Sequence, residues 1–303
     1  MIEVLRAGLC DLVMDRGRPG RGAFGVPTGG AADPAALAAA NRLVGNDADA
    51  AGLEITLSGP ALRFPAGGVA ALTGARFVAT RGSGAAVAWD QTLVLAAGET
   101  LTLERAEAGC RCWLALGGGL AVPPVMGSRS TFLPASFGGF QGRPLQAGDV
   151  LPVGGRGGEV RLLRAQPPAS LAGKGLRVVA GPQAEQFDDA GLAAFFSGNY
   201  CVDSAFDRRG LRLLGATVTH RRVELPSQGV LPGAIQIPPD GQPIILGWDG
   251  PVTGGYPVVA GVIAADWPRL AQLEPGDAVR FATIELETAR ALAVARWKIE
   301  GLG

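Results

Sequence analysis

Apolar runs of strand length, each closed by a glycine or proline turn, recur from one end of this chain to the other. Ile2 to Leu5, Val69 to Leu72, Thr92 to Leu95, Cys112 to Leu116, Leu176 to Val179, Ile244 to Leu246 and Val258 to Ile263 are the clearest. Gly59-Pro60, Gly67-Gly68, Arg81-Gly82, Gly181-Pro182, Pro239-Asp240-Gly241 and Gly254-Gly255 punctuate them. Such runs are strand-sized, and the residues between them are those of tight turns. The pattern predicts a mainly β protein. The 47 glycines and 22 prolines among 303 residues are interleaved with apolar sequence, so they mark turns and not a disordered tract.

Helical signals are few. Asp33-Pro34 has an N-cap acid and a proline at the first helical position; Leu37, Ala40, Asn41 and Val44 then share a face, and Gly45 ends the helix. Ala184 to Phe196 and Leu286 to Lys298 are two further candidates, and Ala278 to Phe281 reads as a strand. The length fits about two domains. Gly154 to Gly175 collects Gly, Arg, Pro and Ser as a linker would, which puts a boundary near 170 and expects lobes at 1–170 and 171–303, the second carrying the C-terminal helix. One phrase occurs three times, at Leu95 to Leu101, Leu145 to Leu151 and Leu273 to Val279: Leu, two spacers, Gly, an acid, then β-forming residues. The glycine can take positive φ there, and the acid can accept backbone N–H bonds.

Composition removes several functions. Lys+Arg and Asp+Glu are both 27, so no basic excess exists for a nucleic-acid backbone. The uncharged stretch Cys112 to Ser128 is too short and too broken by Gly and Pro for a membrane span. Glu3, Arg6 and Asp11 interrupt the first fifteen residues, so no apolar signal core forms, and a cytoplasmic protein is expected. Cys10, Cys110, Cys112 and Cys201 lack Cys-x-x-Cys spacing and read as reduced thiols. His220, in a strand-like run, is the one histidine; no metal site and no histidine triad are expected. Lys174 has no P-loop spacing, and neither lysine has the neighbouring Met of a biotin attachment site, so no covalent biotin is expected on this chain.

Polar density gathers instead in glycine-rich loops. Asp15-Arg16-Gly17-Arg18 is echoed by Asp207-Arg208-Arg209-Gly210, and Gly127-Ser128-Arg129-Ser130-Thr131 precedes Phe137 to Arg143. Guanidinium forks suit carboxylate or phosphate oxygens, and Ser128, Ser130 and Thr131 add hydroxyl donors beside backbone N–H groups that glycine leaves approachable. Taken singly, each loop is equally an Arg–Asp pair bracing its own turn; together they favour an anion site of Arg16, Ser128, Arg129, Ser130, Thr131, Arg143 and Arg208. Gln236 alternates with Ile235 and Ile237, which places its amide on the opposite strand face. Asp207, Asp249 and Tyr256 are the candidate proton-transfer groups, although Thr253-Gly254-Gly255-Tyr256-Pro257 also reads as a plain turn with a core tyrosine.

In their order these phrases resemble a known family, that of KipA, allophanate hydrolase subunit 2 and the C-type 5-oxoprolinase subunit, related to the carboxyltransferase region of urea carboxylase. Beyond the loops above, the likeness rests on Ala40 to Asn46, Leu53-Glu54, Gly142-Arg143-Pro144-Leu145, Gly233-Ala234-Ile235-Gln236-Ile237-Pro238 and Thr253 to Pro257, and covers residues 1–285. The resemblance implies two cyclophilin-like β-barrel lobes with a few helices and an active cleft between them. It implies two partners in a heteromer, a KipI-type protein (B-type) together with a LamB/YcsF-type protein (A-type). It further implies ATP, with or without Mg, used by the complex to open 5-oxoproline to glutamate. The alternatives it leaves are biotin-dependent carboxyl transfer to urea or a related amide, with biotin on another chain, and a non-enzymatic regulator binding a KipI-type kinase inhibitor. Trp113 and Pro251 depart from the family pattern.

Overall fold

Nineteen strands and four α-helices, among the described residues, arise from these short runs. The computed structural model describes residues 1–155, 175–221 and 225–300. Most of the expected linker, with the boundary near 170, lies outside them. The chain divides into two compact units; of the described residues, the first takes 1–18 and 29–155 and the second takes 19–28 and 175–300.

The first unit is one nine-stranded, curled sheet. Its strands are β1 (Ile2–Arg6), β2 (Cys10–Met14), β3 (Gly52–Thr56), β4 (Ala61–Phe64), β5 (Gly68–Arg81), β6 (Ala85–Ala86), β7 (Leu93–Leu95), β8 (Glu99–Leu116) and β9 (Val150–Leu151). The path runs β2-β3-β8-β4-β1-β9, and the long β5 pairs with β8, β7 and β6. The 18-residue β8 makes the curl: its C-terminal half pairs with β3, its N-terminal half with β4, and β5 follows it along both halves through register shifts. Bulges of this kind bend a strand and increase its twist. Inside lie Val4, Leu53, Ile55, Leu62, Phe64, Leu72, Phe77, Leu101, Leu103 and Leu114, all at most 2% exposed. Each contributes roughly 1.5–3 kcal/mol through burial.

Helix α1 (Pro34–Leu43) covers this sheet, and its ends are those the sequence predicts. The Asp33 carboxylate accepts from the N–H groups of Ala35 and Ala36, Pro34 opens the first turn, and Gly45 has φ +76°. Asn41 on the buried face donates to Ala50 O at 2.7 Å and accepts from Asn46 Nδ2 at 2.9 Å, so its amide is satisfied without water.

The thrice-repeated phrase is a single turn design. Gly98, Gly148 and Gly276 have φ of +78°, +91° and +93°. In each copy the following acid accepts the N–H three residues before it: Glu99 from Ala96, Asp149 from Gln146 and Asp277 from Glu274. Two of the acids also take a guanidinium, Arg81 on Glu99 and Arg143 on Asp149. These hydrogen bonds hold both carboxyls below the ordinary range.

Asp11 sits in the row Asp11–Ile55–Cys112 across β2, β3 and β8. It is 1% exposed; Oδ2 accepts from Gly8 N at 2.6 Å while Oδ1 has no partner among the described residues. Burial raises its pKa from 3.8 to about 7, against the lowering pull of the Gly8 N–H and of Arg6, and burial likewise pushes the Cys112 thiol up. Below about pH 4 Asp11 is protonated in both folded and unfolded chains. Between about pH 4 and 7 the unfolded chain releases this proton and the folded one keeps it, so stability falls as pH rises, by at most about 4 kcal/mol. Asp11→Asn is expected to remove that slope, as read from urea midpoints at about pH 4.5 and 7.5. An unchanged slope would show that Asp11 titrates normally.

The second unit carries β10 (Leu176–Ala180), β11 (Tyr200–Asp207), β12 (Gly210–Leu214), β13 (Gln228–Gly229), β14 (Ala234–Gln236), β15 (Ile244–Leu246), β16 (Thr253–Gly254), β17 (Val258–Val262), β18 (Ala278–Val279) and β19 (Phe281–Thr283). Eight of them form a second curled sheet, β18-β11-β12-β15-β14-β17-β10-β19, and β13 pairs with β16 apart from it. Val178, Leu211, Leu213, Ile235, Ile245 and Ala260 are buried here, and Phe195 of α2 (Asp189–Ser197) stacks on Phe281 at 4.5 Å. The expected helix from Ala184 to Phe196 is corrected: a 3-10 turn at Ala184–Gln186 ends at an extended Phe187, and Asp188 caps α2 anew by accepting from Gly191 N. Ala278 to Phe281 is likewise two strands, while α3 (Trp267–Ala271) and α4 (Leu286–Glu300) complete the helices. His220 lies outside any strand, against the Phe187 ring. The four cysteines are free thiols. No helix among the described residues is long and apolar enough to cross a membrane.

Candidate functional site

In the first unit the polar loops converge on one carboxylate. Asp15 follows β2, and its Oδ1 accepts from Ser128 Oγ and Ser130 Oγ, both at 2.6 Å, and from Gly17 N at 2.8 Å. Its Oδ2 accepts from Arg129 N at 2.5 Å, and its own N–H donates to Ser130 Oγ at 2.9 Å. Asp15, Ser128 and Ser130 are all at most 8% exposed. The Ser-Arg-Ser loop therefore binds an anion with two hydroxyls and one backbone N–H, and that anion is the chain's own carboxylate. Arg18, 1% exposed, donates to Ser130 O and lies over the Phe137 ring. Thr131 donates its hydroxyl to Val13 O at 3.1 Å. These hydroxyl protons point into the protein, so the expected use of Ser128, Ser130 and Thr131 as hydroxyl donors to a ligand does not match their placement.

The arginines divide. Arg129 is exposed and ties Nε to Val122 O at 2.9 Å; Arg16 is also exposed. Arg143 is locked bidentately on Asp149, with two contacts of 2.8 Å, and is raised above its ordinary pKa by that hydrogen bonding.

In the second unit Arg208 and Asp249 form a buried bidentate pair, Nε–Oδ2 at 2.7 Å and Nη2–Oδ1 at 3.2 Å, 7% and 3% exposed. The backbone repeats the pairing, since Asp249 N donates to Arg208 O and Gly247 N to Arg209 O. Asp207 is exposed instead; it accepts from Arg209 N, Gly210 N and Arg209 Nε, as a turn-closing aspartate does. Its bond to Arg209 N matches that of Asp15 to Gly17 N, so the sequence echo is a shared turn. Gln236 is 4% exposed, and since Ile235 and Ile237 are wholly buried too, both faces of its strand are covered. Its Nε2 has no partner among the described residues. Tyr256 is 46% exposed and so not a core tyrosine. The departure at Trp113 has a local reason, because its indole N–H donates to the buried Glu54 at 3.2 Å.

Sequence reasoning missed Asp15 as the centre of its loops. It also missed two glutamines near Gln236, Gln183 and Gln228. The amide of Gln183 donates to Gln228 Oε1 at 3.0 Å and accepts from Val258 N at 3.0 Å. A Cβ at the Gly254 of Thr-Gly-Gly-Tyr would meet Gln236 Nε2 at 2.6 Å, a closeness that no sequence pattern displays. Among the described residues no three His, Cys, Asp or Glu side chains gather as a metal site.

A family model for the carboxyltransferase domain, subdomains A and B, matches residues 24–283. The chain belongs to that carboxyltransferase-domain family. Within it, the chain is 42% identical to the C-type subunit of 5-oxoprolinase from Escherichia coli, across 95% of this chain and 93% of that protein. It is 32% identical to urea amidolyase of Saccharomyces cerevisiae, across 96% of this chain but 17% of that much longer one. The crystal structure of the Kluyveromyces lactis urea amidolyase superposes with a TM-score of 0.92 at 31% identity, covering 99% of this chain and 20% of that one. The two curled sheets are thus shared with a carboxyltransferase-domain relative whose chain carries much besides.

Proposed function

We propose that this chain is the C-type subunit of an ATP-dependent 5-oxoprolinase, a hydrolase that opens the lactam of 5-oxoproline to glutamate. The observation that carries the reading is the likeness to the E. coli protein, which runs along nearly the whole of both chains. In this reading a KipI-type partner of B type and a LamB/YcsF-type partner of A type complete the enzyme in the cytoplasm, and this chain is inactive alone. ATP, with or without Mg, is consumed by the complex. The donors of the Ser128–Ser130 loop are held by Asp15, so this loop is no phosphate cradle, and no step is assigned to it. In the second unit Arg208 and Asp249 remain as a buried charged pair able to orient a polar small molecule, with Gln236 as an amide donor; in the first unit Arg16 and Arg129 are exposed cations. Asp207 and Tyr256 are open to solvent and stay candidates for proton transfer.

A second reading, carboxyl transfer from a biotin on another chain to urea or a related amide, is favoured by the TM-score of 0.92 to the urea amidolyase. One experiment separates the two. The chain, co-purified with its B-type and A-type partners, is expected to consume ATP when 5-oxoproline is added. Stimulation by urea with a carboxybiotin carrier, and none by 5-oxoproline, would reverse the order of the readings.

A further inference from the structure

We propose that Gln228 and Gln236 form an acceptor-recognising subsite in the second unit, poised by Gln183 to bind the carbonyl or carboxylate oxygen of a small amide; the proposal rests on the amide-hydrolase reading above. The argument begins at a backbone group whose polarity cannot change. Val258 N–H is a donor, and Gln183 Oε1 accepts it at 3.0 Å. That fixes which end of the Gln183 amide is oxygen, so its Nε2 must point the other way, and it donates to Gln228 Oε1 at 3.0 Å. Gln228 is then fixed in turn, with its Nε2 aimed away from Gln183. This nitrogen is buried and has no partner among the described residues.

Gln236 carries a second such nitrogen, beside Gly254. Its residue pairs with Val258 across β14 and β17, the very residue that anchors Gln183. Gln228 pairs with Gly254 across β13 and β16, and Gly254 lies so close to Gln236 Nε2 that a Cβ there would sit 2.6 Å from it. Both glutamines therefore border Gly254, one oriented by relay from a strand backbone and one held on an adjacent strand. Two buried donors with no acceptor among the described residues are costly in a folded protein unless something supplies the oxygen. Oriented amide N–H groups suit a carbonyl or carboxylate oxygen and cannot satisfy a cation. Gln228 and Gln236 are the binding residues; Gln183 is a positioning residue that need not touch the ligand.

The test uses the full chain assembled with its partner proteins, with 5-oxoproline and urea as probes. Binding is followed by calorimetry and by the side-chain amide resonances of Gln228 and Gln236, with thermal unfolding of each variant to establish that it is folded. Gln236→Glu or Gln228→Glu puts an oxygen where a donor was and is expected to weaken 5-oxoproline binding on the order of 10- to 100-fold. Gln183→Glu still accepts from Val258 N–H but cannot donate to Gln228, whose amide must turn over; about tenfold weaker binding is expected although no contact to the ligand is removed. A merely structural glutamine would leave binding by the folded variant unchanged. If 5-oxoproline binds equally well to all three folded variants, the subsite is wrong while the oxoprolinase reading stands. If urea alone binds, with the same sensitivity to the variants, the subsite stands and the oxoprolinase reading falls. If neither probe moves the two amide resonances, the proposal is overturned.

Discussion

An Asp15→Ala variant is expected to lose at least about 5 kcal/mol of stability, enough to unfold the first unit if its stability is that of a typical domain. The carboxylate accepts four hydrogen bonds from two segments more than a hundred residues apart, and all four donors would be left in place without it. Hydrogen bonds to a charged group are each worth roughly 1.5–3 kcal/mol, and a buried donor left unsatisfied adds its own desolvation penalty. Asp15→Asn keeps the shape but turns one oxygen into a donor facing another donor, so a smaller loss of about 2–3 kcal/mol is expected. Equilibrium urea unfolding followed through Trp fluorescence measures both. A change under about 1 kcal/mol for the alanine variant would mean that the serine loop holds its form unaided.

The second large effect belongs to Arg208 and Asp249. Removing one partner of a buried ion pair typically costs about 3–5 kcal/mol, because the other charge is stranded. Asp249→Ala and Arg208→Ala should each fall in that range. The double variant Arg208→Met, Asp249→Leu should recover most of the loss, since two apolar side chains leave no orphaned charge. That double variant also separates fold from chemistry. A folded protein whose assembled complex no longer responds to 5-oxoproline assigns the pair to the reaction. Full turnover in it would restrict the pair to bracing the start of β12 against the end of β15.

Much of the fold was legible because its signals are local. Asp33-Pro34 and Gly45 delimit α1 through a side chain reaching two and three residues onward and a backbone angle that glycine adopts easily. The repeated Leu-x-x-Gly-acid phrase was legible for the same reason, since donor and acceptor are three residues apart. Asp188 shows where local reading fails: its capping of Gly191 competes with continuing the helix begun at Ala184, and composition alone does not rank the two. The site was half legible. Residue types pointed to anion-binding loops, but nothing in the spacing told that the anion for Ser128 and Ser130 is Asp15, or that Arg143 belongs to Asp149. Gln183 and Gln228 were invisible, because an amide carries no sequence mark of the direction in which it will be turned.

The last strand of each unit covers one edge of its sheet: Leu151 of β9 pairs with Ile2 of β1 in the first, and Phe281 of β19 with Leu176 of β10 in the second. A chain emerging from the ribosome therefore leaves the outer edge of β1 bare until its ninth strand has left the exit tunnel. Pairing over such separations is slow relative to helical folding and leaves bare strand edges for nascent-chain chaperones to shield. Trimming either unit by a few residues at its last strand would uncover the strand edge beneath it, β1 in the first and β10 in the second.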